Sequence, residues 1–107
     1  MPIHNKLIRD KIPEIIEATG KSFSTKKLSE EDYIKELRTK LSEEVNEYLN
    51  AKNDNEALEE LADIVEVIHS LAKIHGNSFE KVEQLRVEKA HKRGVFDKRI
   101  FLKEVED

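Results

Sequence analysis

Two acidic pairs in the middle of the chain carry the chemistry that the residues offer. Glu44 and Glu47 lie within Ser42-Glu43-Glu44-Val45-Asn46-Glu47-Tyr48, and Glu60 and Asp63 within Leu58-Glu59-Glu60-Leu61-Ala62-Asp63-Ile64. Each pair is spaced i,i+3, so on a helix its two carboxylates share one face. A polar stretch from Asn50 to Glu56 separates the pairs. An antiparallel helix hairpin that turns near Asn53 and Asp54 sets Glu47 level with Glu60 and Glu44 level with Asp63, so four carboxylates converge. Like charges held this close raise one another's pKa, and a divalent cation is the usual way to keep such a cluster ionised. Oxygen-only donors suit Mg²⁺, with Mn²⁺ as a substitute, better than zinc or copper.

The chain has 23 acidic residues, and an isolated Glu-x-x-Glu in such a chain is ordinarily a solvated helix face. These pairs differ in two ways. They flank the expected turn symmetrically, and they share their helices with apolar residues that should face a partner. Glu43 and Glu59 fit plain surface, and Glu43 also fits a supporting place beside the cluster. A competing reading takes Glu66-Val67-Ile68-His69 as the E-x-x-H element of a di-iron bundle. One such element per chain requires a symmetric dimer to supply the second. The default for His69, as for His4 and His75, is a structural role.

The positioning elements are legible as helices. Pro13 near a first turn and Gly20 as a stop bracket a short helix after Asp10. Ser29, with Asp32 three residues on, caps a long helix whose apolar positions Ile34, Leu37, Leu41, Val45, Tyr48 and Leu49 follow 3/4 spacing to about Asn50. Asn53 with Glu56 caps the next, the most apolar, which Gly76 ends. Asn77 with Glu80 is expected to open a last helix through Phe79 and Ala90 to Arg93, stopped by Gly94. Alternation over residues 22–28 and again over 99–105 suggests a small two-stranded ribbon joining the ends.

Composition supports this reading. Of 107 residues, 37% are hydrophobic and 39% charged, with six aromatics and no Trp, which suits a single helical domain over 1–107 more than a sheet sandwich. The absence of Cys excludes thiolate zinc sites and thiol nucleophiles. No apolar run reaches a membrane span, and no secretory leader is evident, so the expectation is a cytoplasmic protein without a membrane partner. Net charge is −4, but residues 1–28 carry +3, residues 29–66 carry −9 and residues 67–107 carry +2. That balance disfavours polymeric nucleic acid, which rewards a broad basic footprint. A small polyphosphate, bridged by metal to the acidic centre and gripped by the basic ends, fits it. The central helix is apolar around much of its circumference at Ile64, Val65, Val67 and Ile68, which predicts a homo-oligomer, at least a dimer.

Glu43-Glu44-x-x-Glu47, twelve intervening residues, then Glu60-x-x-Asp63 resembles the EExxE…ExxD signature of the all-α, MazG-like nucleoside triphosphate pyrophosphohydrolases. Asn5-Lys6-Leu7-Ile8-Arg9-Asp10-Lys11-Ile12-Pro13 and Lys92-Arg93-Gly94-Val95-Phe96-Asp97-Lys98-Arg99-Ile100-Phe101-Leu102 are similar to the ends of its small, single-domain, phosphoribosyl-ATP pyrophosphohydrolase-like subgroup. The resemblance implies a helical bundle whose four-helix core forms on oligomerisation. It also implies Mg²⁺-dependent hydrolysis between the α- and β-phosphates, giving a nucleoside monophosphate and pyrophosphate. On that basis Glu44, Glu47, Glu60 and Asp63 are the metal ligands, and Glu43 orients or deprotonates the attacking water. Lys6, Arg9, Lys11, Lys92, Arg93 and Arg99 are expected at phosphates, and Phe96 against the base. The alternative from the same fold is a non-catalytic nucleotide sensor or helical interaction module, against which the presence of all four acids argues.

Overall fold

The computed structural model of the protein describes residues 2–107. Its four helices are α1 (Ile12–Ala18), α2 (Glu30–Leu49), α3 (Asp54–Ile74) and α4 (Phe79–Arg93). Among the described residues there is no strand, so the fold is all-α. The expected ribbon from residues 22–28 and 99–105 does not form. An isolated two-stranded ribbon is marginal without a third strand or a helix to cover it, and Arg99 breaks the extended run with a φ of 58°.

The boundaries of the two long helices follow from local capping. The Ser29 side chain accepts the Asp32 N–H at 3.2 Å and opens α2. The Asn53 Oδ1 accepts the Glu56 N–H at 2.9 Å, and Glu56 reaches back to the Lys52 N–H at 3.0 Å, so the start of α3 is satisfied from both directions. At its far end the Gly76 N–H bonds the Lys73 carbonyl and the Asn77 N–H bonds the Ala72 carbonyl, both at 3.0 Å, with Gly76 at φ 74°. This is a Schellman closure, which needs a residue free to enter the left-handed region. It also corrects the expected start of α4. Asn77 is spent closing α3, and the N-cap position falls to Ser78, whose side chain makes no capping bond.

The helix pairs that pack are α2 with α3, the more extensive, and α3 with α4. The hairpin of α2 and α3 buries Leu37 and Val67, at 4% and 8% exposure, with Ala72 further along α3. Ahead of α1, Leu7 and Ile8 are half-buried, and residues 6–12 border the same cleft as Tyr33, Leu37 and Val67. The N-terminal segment is thus a strap lying along the α2–α3 groove.

The radius of gyration is 18.3 Å and the extents are 61 × 36 × 25 Å. A compact chain of this length would have a radius near about 13 Å. Leu58, Leu61, Val65, Leu85 and Val87 on the helices, and Val95, Phe96, Ile100, Phe101, Leu102 and Val105 beyond α4, are exposed. No helix among the described residues is long and apolar enough to cross a membrane.

Candidate metal centre

The short turn between α2 and α3 sets their acidic faces against each other. Glu44 and Glu47 from α2 and Glu60 from α3 each offer a carboxylate oxygen, and the three oxygens lie within 4.8 Å of one another. Their environments differ: Glu44 is buried, at 6% exposure, Glu60 is half-buried and Glu47 is exposed. Glu44 is the buried charged residue among those described, and its Oε2 and the Oε2 of Glu60 have no hydrogen-bond partner. An orphaned carboxylate oxygen held away from water costs free energy unless a cation or proton meets it.

The electrostatics carry that cost. Burial raises the Glu44 carboxyl above its ordinary range, the charge and contact of Glu47 raise it further, and Lys40 opposes them. Glu60 is pushed up to about 7, first by its hydrogen-bonding contact with Glu47, then by burial and the Glu47 charge. Asp63 adds to both shifts through its charge.

Asp63 is not one of the three converging carboxylates. Its Oδ1 accepts a hydrogen bond from the Arg9 Nη2 at 2.7 Å, an ion pair between residues 54 positions apart. The expected quartet is therefore a trio with Asp63 beside it, held by the strap. The arrangement of groups suits a hard divalent cation: three convergent carboxylates, two of them with a buried oxygen that has no hydrogen-bond partner, and a further carboxylate near at hand.

Among the expected phosphate contacts, Lys6, Arg9 and Lys11 border a cleft of about 660 Å³ that also reaches Glu44, Asp63 and Glu66. Lys92, Arg93, Phe96 and Arg99 do not border it. Lys92 and Arg93 end α4, Gly94 terminates it with φ 85°, and Phe96 is 96% exposed. Glu43 lies outside the trio, with its Oε2 3.6 Å from the Lys40 ammonium. Lys40 was absent from the residues expected at this site. It lines the cleft and lies 3.6 Å from Glu44 Oε1 as well. The i,i+3 and i,i+4 spacing of Lys40 to Glu43 and Glu44 was the available signal.

His69, the histidine of the competing di-iron reading, sits in the structural role that was its default. The His69 ring stacks on Phe79 with centroids 4.0 Å apart and planes within 8° of parallel, so it closes the joint between α3 and α4. Glu66 borders the cleft without His69.

No family model matches the chain, and no solved structure matches it. An uncharacterized protein of Mycolicibacterium smegmatis is 43% identical over 54 residues, which is 50% of this chain and 55% of the relative. The chain thus spans about half the length of the curated relative that it matches.

Proposed function

We propose that the protein is a Mg²⁺-dependent nucleotide pyrophosphohydrolase of MazG-like type, which hydrolyses a nucleoside triphosphate or related nucleotide between its α- and β-phosphates. The observation that carries this reading is the buried Glu44 carboxylate, its Oε2 without a hydrogen-bond partner, converging with Glu47 and Glu60 across the hairpin. Glu44, Glu47 and Glu60 hold the cation, with Asp63 joining them when Arg9 lets go. Bound Mg²⁺ neutralises phosphate charge and aligns the anhydride for attack. Mn²⁺ serves the same donors.

The chain's own residues supply the rest. Arg9, on leaving Asp63, offers a planar pair of donors to phosphate oxygens, while Lys6 and Lys11 add point charges along the same cleft. Water attacks the α-phosphorus, the bond to the bridging oxygen breaks, and pyrophosphate leaves. Glu43, at the rim of the trio, takes the proton from the water. Catalysis here is alignment and charge neutralisation more than covalent chemistry.

Self-association belongs to the same reading. Among the described residues three apolar side chains are buried, a small core, and the extended shape leaves much apolar helix surface and the segment after Gly94 uncovered. A second hairpin packed on α2 and α3 completes a four-helix core. In that assembly the ends of one chain bring Lys92, Arg93, Phe96 and Arg99 to the site of another.

The test is a screen of ordinary, deoxy and modified nucleoside triphosphates with Mg²⁺ and Mn²⁺, in which pyrophosphate and orthophosphate are scored separately. Release of pyrophosphate with a monophosphate product is expected for at least one substrate. Binding of nucleotides without any cleavage would replace the enzyme by a nucleotide-sensing module.

A further inference from the structure

The Lys40 ammonium lies 3.6 Å from Glu43 Oε2 and 3.6 Å from Glu44 Oε1. Both distances exceed a hydrogen bond, so neither contact takes one of its three N–H donors. Its side chain is only 23% exposed, which is unusual for a lysine that merely decorates a helix. As a helix pair it is also the weaker order, with the base N-terminal to the acid. A solvated surface pair explains neither the burial nor the contact length. The location does. Lys40 borders the cleft between the strap and the α2–α3 groove, where Lys6, Arg9 and Lys11 line the strap side.

We propose that Lys40 is a substrate-anchoring residue, the α2-side counterpart of Arg9, which grips phosphate oxygens of a polyphosphate lying in this cleft. Without ligand it balances the charge of Glu43 and Glu44. With a divalent cation held at Glu44, the charge there would no longer need Lys40, and its ammonium would be free for the anion. Lys40 and Arg9 then hold a polyphosphate from opposite walls, each released from its own carboxylate, Glu44 for one and Asp63 for the other. The inference rests on the reading of the trio as a metal–polyphosphate centre, but not on cleavage.

The experiment titrates the full chain with Mg²⁺ alone, and with inorganic tripolyphosphate at saturating Mg²⁺, by calorimetry. Wild type is compared with Lys40→Met, Lys40→Gln and Lys40→Arg, with far-UV circular dichroism as the check on folding. Lys40→Met should weaken tripolyphosphate binding by about tenfold or more, the scale of one charge-assisted phosphate contact. Lys40→Arg should largely restore it. Affinity for Mg²⁺ alone should hold or improve in all three variants, because a competitor for Glu44 has gone. Unchanged tripolyphosphate affinity in both the Met and Gln variants overturns the proposal, as does a wild type that binds no tripolyphosphate. So does an equal loss for Mg²⁺ alone, which would make Lys40 a prop for Glu44. The hydrolase reading fails separately: a wild type that binds tripolyphosphate through Lys40 yet cleaves no nucleotide leaves this inference standing.

Discussion

If the carboxylate trio holds a cation as proposed, the Glu60 carboxyl makes the affinity for that cation depend on pH. In the free protein that carboxyl is pushed up to about 7, first by its hydrogen-bonding contact with Glu47, then by burial and the charge of Glu47. A cation competes with that proton, so apparent affinity is reduced by a factor of one plus the ratio of protonated to ionised Glu60. That factor is about 11 at pH 6, about 2 at pH 7 and about 1.1 at pH 8, a gain of about tenfold from the lowest to the highest. Glu44, also raised, steepens the curve. At pH 7 each bound Mg²⁺ should expel about half a proton from Glu60. Calorimetry in two buffers of different ionisation enthalpy at pH 6, 7 and 8 gives affinity and proton release together. Affinity that is flat across this range, with no proton released at pH 7, would refute the coupling of metal to this carboxylate.

Four further outcomes are expected. Without metal, the raised Glu60 favours its neutral form in the folded state, so its contribution to stability is fully present below about 4.5 and is lost as pH rises through about 7; melting temperature should fall over that window, and saturating Mg²⁺ should flatten the fall. Glu47→Gln and Asp63→Asn should each abolish hydrolysis at saturating Mg²⁺ with helicity intact, and the metal-free melting temperature of Glu47→Gln should hold or rise because carboxylate repulsion is relieved, whereas Asp63→Asn also gives up the ion pair with Arg9; near wild-type turnover in either would sink the site. Arg9→Ala should free Asp63, so Mg²⁺ affinity holds or improves while triphosphate affinity measured by titration drops. Leu37→Ala removes the most buried apolar side chain of the hairpin and should cost about 2–5 kcal/mol, read as a drop of roughly 10 °C or more in melting temperature by calorimetry.

What could be read from the residues divides by sequence range. The limits of α2 and α3 were legible because Ser29 and Asn53 act on backbone three residues away. The convergence of Glu44, Glu47 and Glu60 was legible for a similar reason, since it needs only helical spacing and the position of one turn. The ion pair of Asp63 with Arg9 was not legible, because it depends on how the strap crosses the groove, and nothing local to α3 encodes that. The opening of α4 was one residue out: the Asn77 N–H closes α3, and the N-cap position falls to Ser78, whose side chain makes no capping bond. The ribbon was an inference from alternation alone, which describes a strand's faces but supplies no partner. The spacing of Lys40 to Glu43 and Glu44 was there to read, but its place on the cleft was not, because that depends on where the strap lies.

The turn between Leu49 and Asp54 has a kinetic consequence. Glu47 and Glu60 come together across a hairpin whose two strong caps are local, so little chain entropy stands against their meeting and the contact order of the site is low. The carboxylate trio can therefore assemble as soon as α2 and α3 are synthesised, ahead of α4, the strap's docking and any encounter between chains. If the trio takes a cation as proposed, a cation present at that moment would act as a staple on the nascent hairpin. It would offset the repulsion that otherwise holds the two helices apart, so that metal supply during folding would bear on the yield of native protein.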